Sequence, residues 1–249
     1  MVSDHTLKNR TGENMIYTFE SRVRYSEIGE DQKLTLNSIV NYFQDCSTFQ
    51  SEEIGLGVNA LAQRQQVWLL LSWQICVDRY PKLGEKIAVK TWAYDFNGFY
   101  GHRNFLMEDE DGNRLAYANS LWGFIDLKTN RPMLVPEEEI SGYQFEEKLD
   151  MDYAPRKIKI PKESRKMESF QVRQYHLDTN HHVNNGQYVR MAMEMIPRDF
   201  KIRQMRAEYK LQAYLGDMVY PQISKTDNTY TIVLDNQENK PYVIVEFME

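Results

Sequence analysis

Cysteine is scarce in this chain of 249 residues, which contains only Cys46 and Cys76. Two cysteines this far apart provide neither a disulfide scaffold nor a zinc site, both of which need more ligands. Both lie in segments with an apolar periodicity, and free cysteine is among the most buried residue types. We therefore expect two buried free thiols. We expect the protein to use no metal and no cofactor.

Long apolar runs are also missing. The longest apolar stretch, residues 68–77, is interrupted by Ser72 and Gln74 and is too short to cross a bilayer. The first twenty residues are polar and mixed in charge, without the apolar segment of a signal peptide or the composition of a transit peptide. We therefore expect a cytoplasmic protein that has no membrane partner.

The chain carries no excess of positive charge. Its 30 Lys and Arg residues against 36 Asp and Glu residues give a net charge of −6. Proteins that bind nucleic acids normally present a basic face, so we expect no nucleic-acid partner. The apolar fraction of 42% and the charged fraction of 27% are those of an ordinary globular protein, long enough for one large domain or two smaller ones.

Chemically active side chains are most concentrated in the sequence DTNHHVNNGQYV at residues 178–189. Asp178, Asn180 and His182 alternate, so an extended strand would place their side chains on one face just before a helix. His181 would then point to the opposite face. Titratable and amide groups ahead of a helix N-terminus suit the stabilisation of an oxyanion. We predict an active site that contains Asp178, Asn180 and His182.

The alternative is that this segment only caps a helix. Asn184 or Asn185 fits that interpretation, because asparagine is a preferred residue at helix starts. Capping gives no role to Asn180 or His182, however. We therefore favour the functional interpretation.

The predicted order of elements is the same in both halves of the chain. In the first half, a strand at 17–25 precedes a helix that ends at Gly55 or Gly57. Its buried face is predicted to hold Leu36, Ile39, Val40, Phe43, Cys46 and either Phe49 or Gln50. Strands are predicted at 67–77, 83–94, 101–108 and 114–127, with Asp111-Gly112 as a hairpin signal.

The second half repeats this order. We predict a strand at 168–177, a helix at about 184–196, and strands near 202–213, 217–225, 228–235 and 241–248. The sequence LGEKI at 83–87 corresponds to LGDMV at 215–219, and each enters a strand after a turn. The chain is therefore predicted to have an α+β fold in which a helix packs on a curved antiparallel sheet, twice.

Three segments resemble the acyl-acyl carrier protein thioesterase family of the double-hotdog kind. Asp-x-Asn-x-His-Val-Asn-Asn followed by Tyr188 resembles the active-site signature of that family. The segment VRYSEIGEDQKLTLNSIVNYFQD (23–45) resembles the start of its N-terminal hotdog, and YKLQAYLGD (209–217) resembles the stretch after its catalytic helix. Together they cover the chain from about residue 17 to the end.

The resemblance implies an α+β double hotdog with two tandem hotdog domains. We expect an N-terminal hotdog at 1–135 that binds the acyl chain, a linker at 136–166, and a catalytic C-terminal hotdog at 167–249. The implied activity is hydrolysis of the thioester of fatty acyl-acyl carrier protein, which releases free fatty acid. The alternatives are an acyl-CoA thioesterase and a non-catalytic acyl-binding hotdog protein. Whether the chain forms a homodimer is left open.

The residue types set the candidate roles. His182 can accept a proton from water near neutral pH, and Asn180 can hold the carbonyl group or the water. Asp178 is either an orienting partner or the direct base or nucleophile. The family places a glutamate where this chain has Gln212, which can position a water but cannot take its proton. The first half has EIGEDQKLTLNS in place of the motif and is predicted to be catalytically silent.

Two further features follow from the resemblance. Some of the bulky residues of the first half are expected to line a tunnel for the acyl chain; the candidates are Phe43, Phe49, Trp68, Leu69, Leu70, Leu71, Trp73 and Trp92. A basic run at 154–166 is either a solvated connector or a landing site for the acidic carrier protein. Its cations are Arg156, Lys157, Lys159, Lys162, Arg165 and Lys166.

Overall fold

The computed structural model describes residues 16–249. The first half contains β1 (Tyr17–Arg22), α1 (Leu36–Glu53), α2 (Val58–Gln63), β2 (Gln66–Val77), β3 (Lys86–Asn97), β4 (Tyr100–Asp109), β5 (Arg114–Asp126) and β6 (Arg131–Pro132). The chain continues with α3 (Glu137–Gly142), β7 (Arg165–Lys166), β8 (Phe170–Gln171), α4 (Asn185–Met193), β9 (Gln204–Tyr209), β10 (Met218–Thr226), β11 (Thr229–Asp235) and β12 (Pro241–Met248). Short 3-10 helices at Tyr25–Glu27 and Gln174–His176 precede α1 and α4.

The two halves have the same strand connectivity. In the described residues, ten strands pair in the order β1-β3-β4-β5-β2-β9-β12-β11-β10-β7, and every pair is antiparallel. Read outward from the centre, β2, β5, β4 and β3 correspond to β9, β12, β11 and β10. The predicted duplication is therefore visible as a symmetric sheet.

The centre of the sheet is the pairing of β2 with β9. Ser72 pairs with Glu208 and Cys76 with Gln204, so the halves share backbone hydrogen bonds. Ile75 and Met205 face each other in this register, and both are fully buried. Each half would otherwise present an unpaired strand edge at this position.

Helix α1 packs on the sheet of the first half as predicted. Thr35 caps it, because its side-chain oxygen accepts a hydrogen bond from the backbone N–H of Ser38 at 3.2 Å. The buried face continues through Gln50 rather than Phe49, which is 45% exposed. Phe43 contacts an aromatic cluster in the core of the first half, where the ring centroids of Trp73 and Phe105 lie 4.9 Å apart.

The two cysteines were expected to be buried free thiols. Cys46 and Cys76 are free, and Cys46 is fully buried while Cys76 is half-buried. Burial raises the pKa of both thiols, which keeps them protonated. Within residues 16–249, no helix is long and apolar enough to cross a membrane.

The predicted strand at 168–177 is wrong. Of this range, only Phe170–Gln171 (β8) pairs as a strand, and Gln174–His176 forms a 3-10 helix. The physical reason is local: the ring Nδ1 of His176 accepts a hydrogen bond from the backbone N–H of Arg173 at 3.0 Å, which bends the chain away from a strand. Helix α4 also ends at Met193, earlier than predicted, and α2 was not predicted.

The segment between the halves crosses the outer face of the sheet. The backbone N–H of Ala154 donates to the Gln74 side chain at 2.9 Å, and that of Ile158 donates to Glu208 Oε2 at 3.1 Å. Ile158 packs on Val233 and Ile244. Val233 of β11 and Ile244 of β12 each lie between neighbours that belong to the main core, so their side chains point to the opposite face of the sheet. The segment therefore lies on the face opposite α4.

The duplicated turn before β3 and β10 generates a stability prediction. Gly84 and Gly216 have φ angles of +81° and +89°, in the left-handed region that other L-residues enter at a cost of about 1–2 kcal/mol. We expect Gly84→Ala and Gly216→Ala each to lower the free energy of unfolding by about that amount, measured by denaturant titration. Gly29→Ala is the control, because Gly29 has no left-handed φ angle. Equal losses of unfolding free energy in all three variants would show that the left-handed φ angles of Gly84 and Gly216 are not the cause.

Candidate active site

The motif at 178–182 forms a tight turn instead of the expected extended strand. The backbone N–H of Asp178 donates to the carbonyl of His182 at 2.8 Å, and that of His181 donates to the carbonyl of Asp178 at 3.1 Å. His181 has a φ angle of +61°. The prediction that alternation alone places Asp178, Asn180 and His182 on one strand face is therefore wrong. The turn brings Asp178 and Asn180 together by another route.

The carboxylate of Asp178 holds this turn. Its Oδ1 accepts hydrogen bonds from the backbone N–H of Asn180 at 2.8 Å and of His182 at 3.4 Å. Within the described residues, no hydrogen bond is formed by its second oxygen, Oδ2. One oxygen of Asp178 is thus structural, and the other is available to a ligand.

The first half contains the same turn with different side chains. The N–H of Gly29 donates to the carbonyl of Lys33 at 2.9 Å, and Gln32 has a φ angle of +60°, which matches His181. Asp31 stands at the position of Asn180. The backbone is therefore duplicated, while the carboxylate, amide and imidazole occur together only in the second copy. This supports the prediction that the first copy is catalytically silent.

The two asparagines at the start of α4 have different environments. Asn184 is the N-cap, and its side-chain oxygen accepts a hydrogen bond from the N–H of Gly186 at 2.8 Å. Asn185 is consequently not needed for capping, and it lines a cavity. A Cβ atom on Gly186 would lie 2.9 Å from Asn41 Oδ1 of α1, so glycine allows the two helices to approach closely here.

The cavity has a volume of about 270 Å³ and joins the two halves. From the second half, Asp178, Asn180 and Asn185 line it. The first half provides an apolar wall, formed by Leu56, Leu61, Trp68, Ala93 and Phe96, and the polar groups of Gln44 and Arg103. The site therefore combines a mostly apolar cavity with a small number of polar groups, as is usual for small-molecule sites.

Helix α3 packs against residues of the cavity wall. Glu139 of α3 is fully buried, and its Oε1 accepts a hydrogen bond from the indole N–H of Trp68 at 2.9 Å. Burial raises the pKa of this carboxyl group. Tyr143, directly after α3, also lines the cavity. Two residues of the segment predicted as a linker thus support the site.

His182 and Gln212 are not among the residues that line the cavity. The half-buried ring of His182 contacts the ring of Tyr214 edge to face at a centroid distance of 4.8 Å, and the two residues also form a backbone bridge. Gln212 is exposed two residues before Tyr214. In the structure, Asp178 and Asn180 therefore line the cavity together, whereas His182 and Gln212 do not.

The backbone around Gln212 is fixed from two sides. The N–H of Val183 donates to the carbonyl of Ala213 at 3.0 Å, and the N–H of Ala213 donates to the hydroxyl of Tyr188 at 2.9 Å. Tyr188 is buried in the core, and burial raises its pKa. Tyr188 of the signature thus connects α4 to the segment that carries Gln212.

Sequence reasoning missed Asn185, Gln44 and Arg103. Asn185 could have been found, because one helix needs only one N-cap and the motif supplies two asparagines. Arg103 shares the strand face of Phe105 and Met107, both fully buried, so the alternation of β4 already indicated an inward position. Gln44 carried no comparable signal. Of the tunnel candidates, Trp68 lines the cavity, whereas Phe49 is exposed.

The basic run is not part of the cavity. Its six cations are all exposed: Arg156, Lys157, Lys159, Lys162, Arg165 and Lys166. Lys157 and Lys159 flank Ile158 on the outer face of the sheet, opposite α4. The run is consequently accessible to a partner, but it does not lie next to Asp178 and Asn180.

Comparison with known protein families shows which family the chain belongs to. The sequence model of the acyl-ACP thioesterase N-terminal domain matches residues 14–143, and that of the C-terminal domain of the same family matches residues 159–247. The chain belongs to the acyl-ACP thioesterase family. The resemblance that the motif predicted is confirmed.

Curated members of the acyl-ACP thioesterase family include chloroplast enzymes of plants. The chain is 27% identical over 189 residues to the acyl-[acyl-carrier-protein] hydrolase FATB3 of Cuphea viscosissima, with 71% of this chain and 46% of that protein covered. It is 25% identical over 217 residues to the palmitoyl-acyl carrier protein thioesterase of Arabidopsis thaliana, with 80% and 52% covered. The chain thus spans about half the length of these relatives.

Solved structures of two acyl-ACP thioesterases share the fold. The one from Bacteroides thetaiotaomicron superposes with a TM-score of 0.87 at 23% identity and covers 94% of this chain and 97% of its own. The 12:0-ACP thioesterase from Umbellularia californica gives 0.81 at 19% identity and covers 96% and 98%. The predicted α+β double hotdog is confirmed.

The ring of His176, just before the motif, generates a pH prediction. Burial, assisted by Arg190 and Arg173, lowers the pKa of His176 below the ordinary value of about 6.5. The unfolded chain therefore takes up this proton at a higher pH than the folded one. As a result, the free energy of unfolding is expected to fall as the pH drops below about 6.5.

The variant His176→Gln tests this contribution. Its amide oxygen can still accept the hydrogen bond from the Arg173 N–H, but it does not titrate. We expect the loss of unfolding free energy between about pH 7 and pH 5 to be smaller than in the wild type, by denaturant titration at both pH values. The same loss in both proteins would exclude His176 as a source of the pH dependence.

Proposed function

We propose that this protein hydrolyses the thioester of fatty acyl-acyl carrier protein and releases free fatty acid. The observation that carries the proposal is the shared cavity, whose apolar wall comes from the first half and whose polar end contains Asp178, Asn180 and Asn185. An acyl chain would lie along the apolar wall, with its thioester carbonyl at the polar end. Membership of the family supports the same reaction.

In this mechanism, water attacks the carbonyl carbon and the C–S bond breaks. His182 accepts the proton of the attacking water, since a neutral imidazole ring carries one nitrogen that can accept a proton. The side-chain amides of Asn180 and Asn185, together with the positive end of the α4 dipole, stabilise the negative charge on the carbonyl oxygen. The thiol of the carrier's prosthetic group leaves with a proton returned by the imidazolium.

Asp178 acts in this proposal as an orienting group. Its Oδ1 already accepts hydrogen bonds from two backbone N–H groups, which fix the positions of Asn180 and His182. Its Oδ2 is left to orient the water. Gln212 serves in this proposal as a second positioning group for the same water.

The division of the chain follows from this arrangement. We keep the proposed N-terminal hotdog at 1–135 as the acyl-binding part, 136–166 as the linker, and 167–249 as the catalytic part. Helix α3 belongs to the linker in sequence but packs with residues of the first half, where Ile140 contacts the cluster of Leu61, Phe124 and Val135. The beginning of the linker is thus part of the acyl-binding wall.

The first activity test removes the amide and the imidazole. We expect Asn180→Ala and His182→Ala each to lower the hydrolysis rate of acyl-acyl carrier protein by at least about a hundredfold, the usual effect of losing an acid-base or oxyanion group. His181→Asn is the matched control, because it alters the neighbouring exposed imidazole and asparagine tolerates a positive φ angle. A folded His182→Ala protein with a near-normal rate would remove His182 from the mechanism.

The second test concerns Gln212. If Gln212 only orients the water, Gln212→Ala should lower the rate, while Gln212→Glu should keep or raise it. A new carboxylate near Asp178 should also shift the acid limb of the pH profile upward, because two like charges resist joint ionisation. Turnover is measured against pH for the wild type and both variants. Unchanged profiles in both variants would place Gln212 outside the site.

The third test concerns the carrier protein. We propose that the exposed basic run attracts the acidic carrier over a distance, since such attraction requires no contact next to the cavity. Reversal of Lys157, Lys159 and Lys162 to Glu should lower kcat/KM for acyl-acyl carrier protein, more at low salt than at high salt. Short acyl-CoA substrates are the internal control and should be nearly unaffected. Equal losses on both substrates would indicate damaged folding.

A further inference from the structure

A buried arginine lies in the cavity wall without a charged partner. Arg103 of β4 is 7% exposed and lines the cavity. Its Nη1 group donates to Gln50 Oε1 of α1 and to Thr91 Oγ1 of β3, the latter at 3.2 Å. The ring of Tyr143 lies 5.1 Å from the guanidinium carbon. All of these partners are neutral.

The charge of Arg103 is not balanced by the protein around it. Within residues 16–249, no carboxylate forms an ion pair with this guanidinium. Burial lowers the pKa of Arg103, but arginine stays protonated in proteins. A buried charge without a counter-charge is costly, so a group of this kind usually has a functional partner.

The guanidinium also has hydrogen-bond donors to spare. It carries five N–H donors, and its two side-chain hydrogen bonds within the described residues both come from Nη1. The groups at Nε and Nη2 therefore have no protein acceptor there. They form one edge of the planar fork, the arrangement that binds a carboxylate with two parallel hydrogen bonds.

Asn180 is exposed, whereas Arg103 is buried. Their difference in burial places Arg103 toward the interior of the cavity and the 178–182 turn toward its opening. The distance between the turn and Arg103 can be estimated from helix α1. Its residue Asn41 lies against Gly186 beside the turn, and its residue Gln50 binds Arg103. At 1.5 Å per residue, these two positions on α1 are about 13 Å apart along the helix axis.

An acyl chain that ends in a methyl group would leave the donors of Arg103 unpaired. We propose that Arg103 forms a second recognition site, which binds an oxygen acceptor at the far end of the acyl chain, and that the preferred group is a carboxylate. The inference rests on the proposed function, since it places the thioester at Asp178 and Asn180. The substrate class is a thioester of a dicarboxylic acid, with the free carboxylate on Arg103.

Binding of esters tests this site without hydrolysis of a thioester. Calorimetry compares monomethyl esters of straight-chain dicarboxylic acids with methyl esters of monocarboxylic acids of the same length, over a graded series. The ester blocks one end, so the free carboxylate alone can reach Arg103. At the best-fitting length, we expect the carboxylate-ended ligand to bind at least tenfold more tightly to the wild type. Equal binding, or tighter binding of the methyl-ended ligand, would overturn the proposal.

Two variants assign the preference to Arg103. Arg103→Met removes the charge and should abolish the preference. Gln50→Glu is nearly isosteric and keeps the guanidinium of Arg103. It places a carboxylate where the neutral amide oxygen of Gln50 now lies, so the protein itself supplies the counter-charge. We therefore expect it to reduce the preference for the carboxylate-ended ligand to less than about twofold. Gln50→Glu keeps the test decisive if Arg103→Met does not fold. A folded variant of either kind that retains the tenfold preference would overturn the proposal.

A parallel thioester assay separates this inference from the proposed function. The assay uses acyl-acyl carrier protein with methyl-ended and carboxylate-ended chains of the same length. Hydrolysis of both at equal kcat/KM would overturn the Arg103 site and leave the proposed function intact. Preferential binding of carboxylate-ended esters without hydrolysis of any thioester would support the site and overturn the proposed function.

Discussion

The pairing of β2 with β9 is the interaction on which the rest of the structure depends. It joins two similar halves into one sheet, and it closes the strand edge that each half would otherwise leave open. Because the register is fixed from Ser72 to Cys76, the helices on the inner face are also fixed relative to each other. The close approach of α1 and α4 at Gly186, and with it the shared cavity, follows from this pairing.

The two copies of the turn share their backbone geometry but differ in the chemistry of their side chains. Both halves form the same turn before a capped helix, with Gln32 and His181 in the left-handed conformation. The same backbone hydrogen bonds define the turn in both copies, although the side chains of the two copies differ. In the second half they supply a carboxylate, an amide and an imidazole. The first half instead contributes the apolar wall of the cavity, so each copy provides what the other lacks.

Periodicity predicted most strands and the buried face of α1, because long amphipathic segments carry a strong signal. It failed at 168–182, where a hydrogen bond from Arg173 to the ring of His176 and a left-handed His181 replace the expected strand. None of Arg173, His176 and His181 is a glycine or a proline, which would have marked a turn in the sequence. The motif identified Asp178 and Asn180, but the contributions of Gln44 and Tyr143 depend on long-range packing, which local sequence does not encode.

Helix α1 connects the two ends of the proposed ligand path, since Asn41 meets the start of α4 and Gln50 binds Arg103. The spacing between the two ends is therefore set by a rigid helix rather than by flexible loops. A change of one helical turn in this spacing would alter it by about 5.4 Å. Substitutions along the wall can change the width of the cavity, but the distance between these two ends is set by α1. Variation in preferred ligand length would thus require a change in where α1 meets its neighbours.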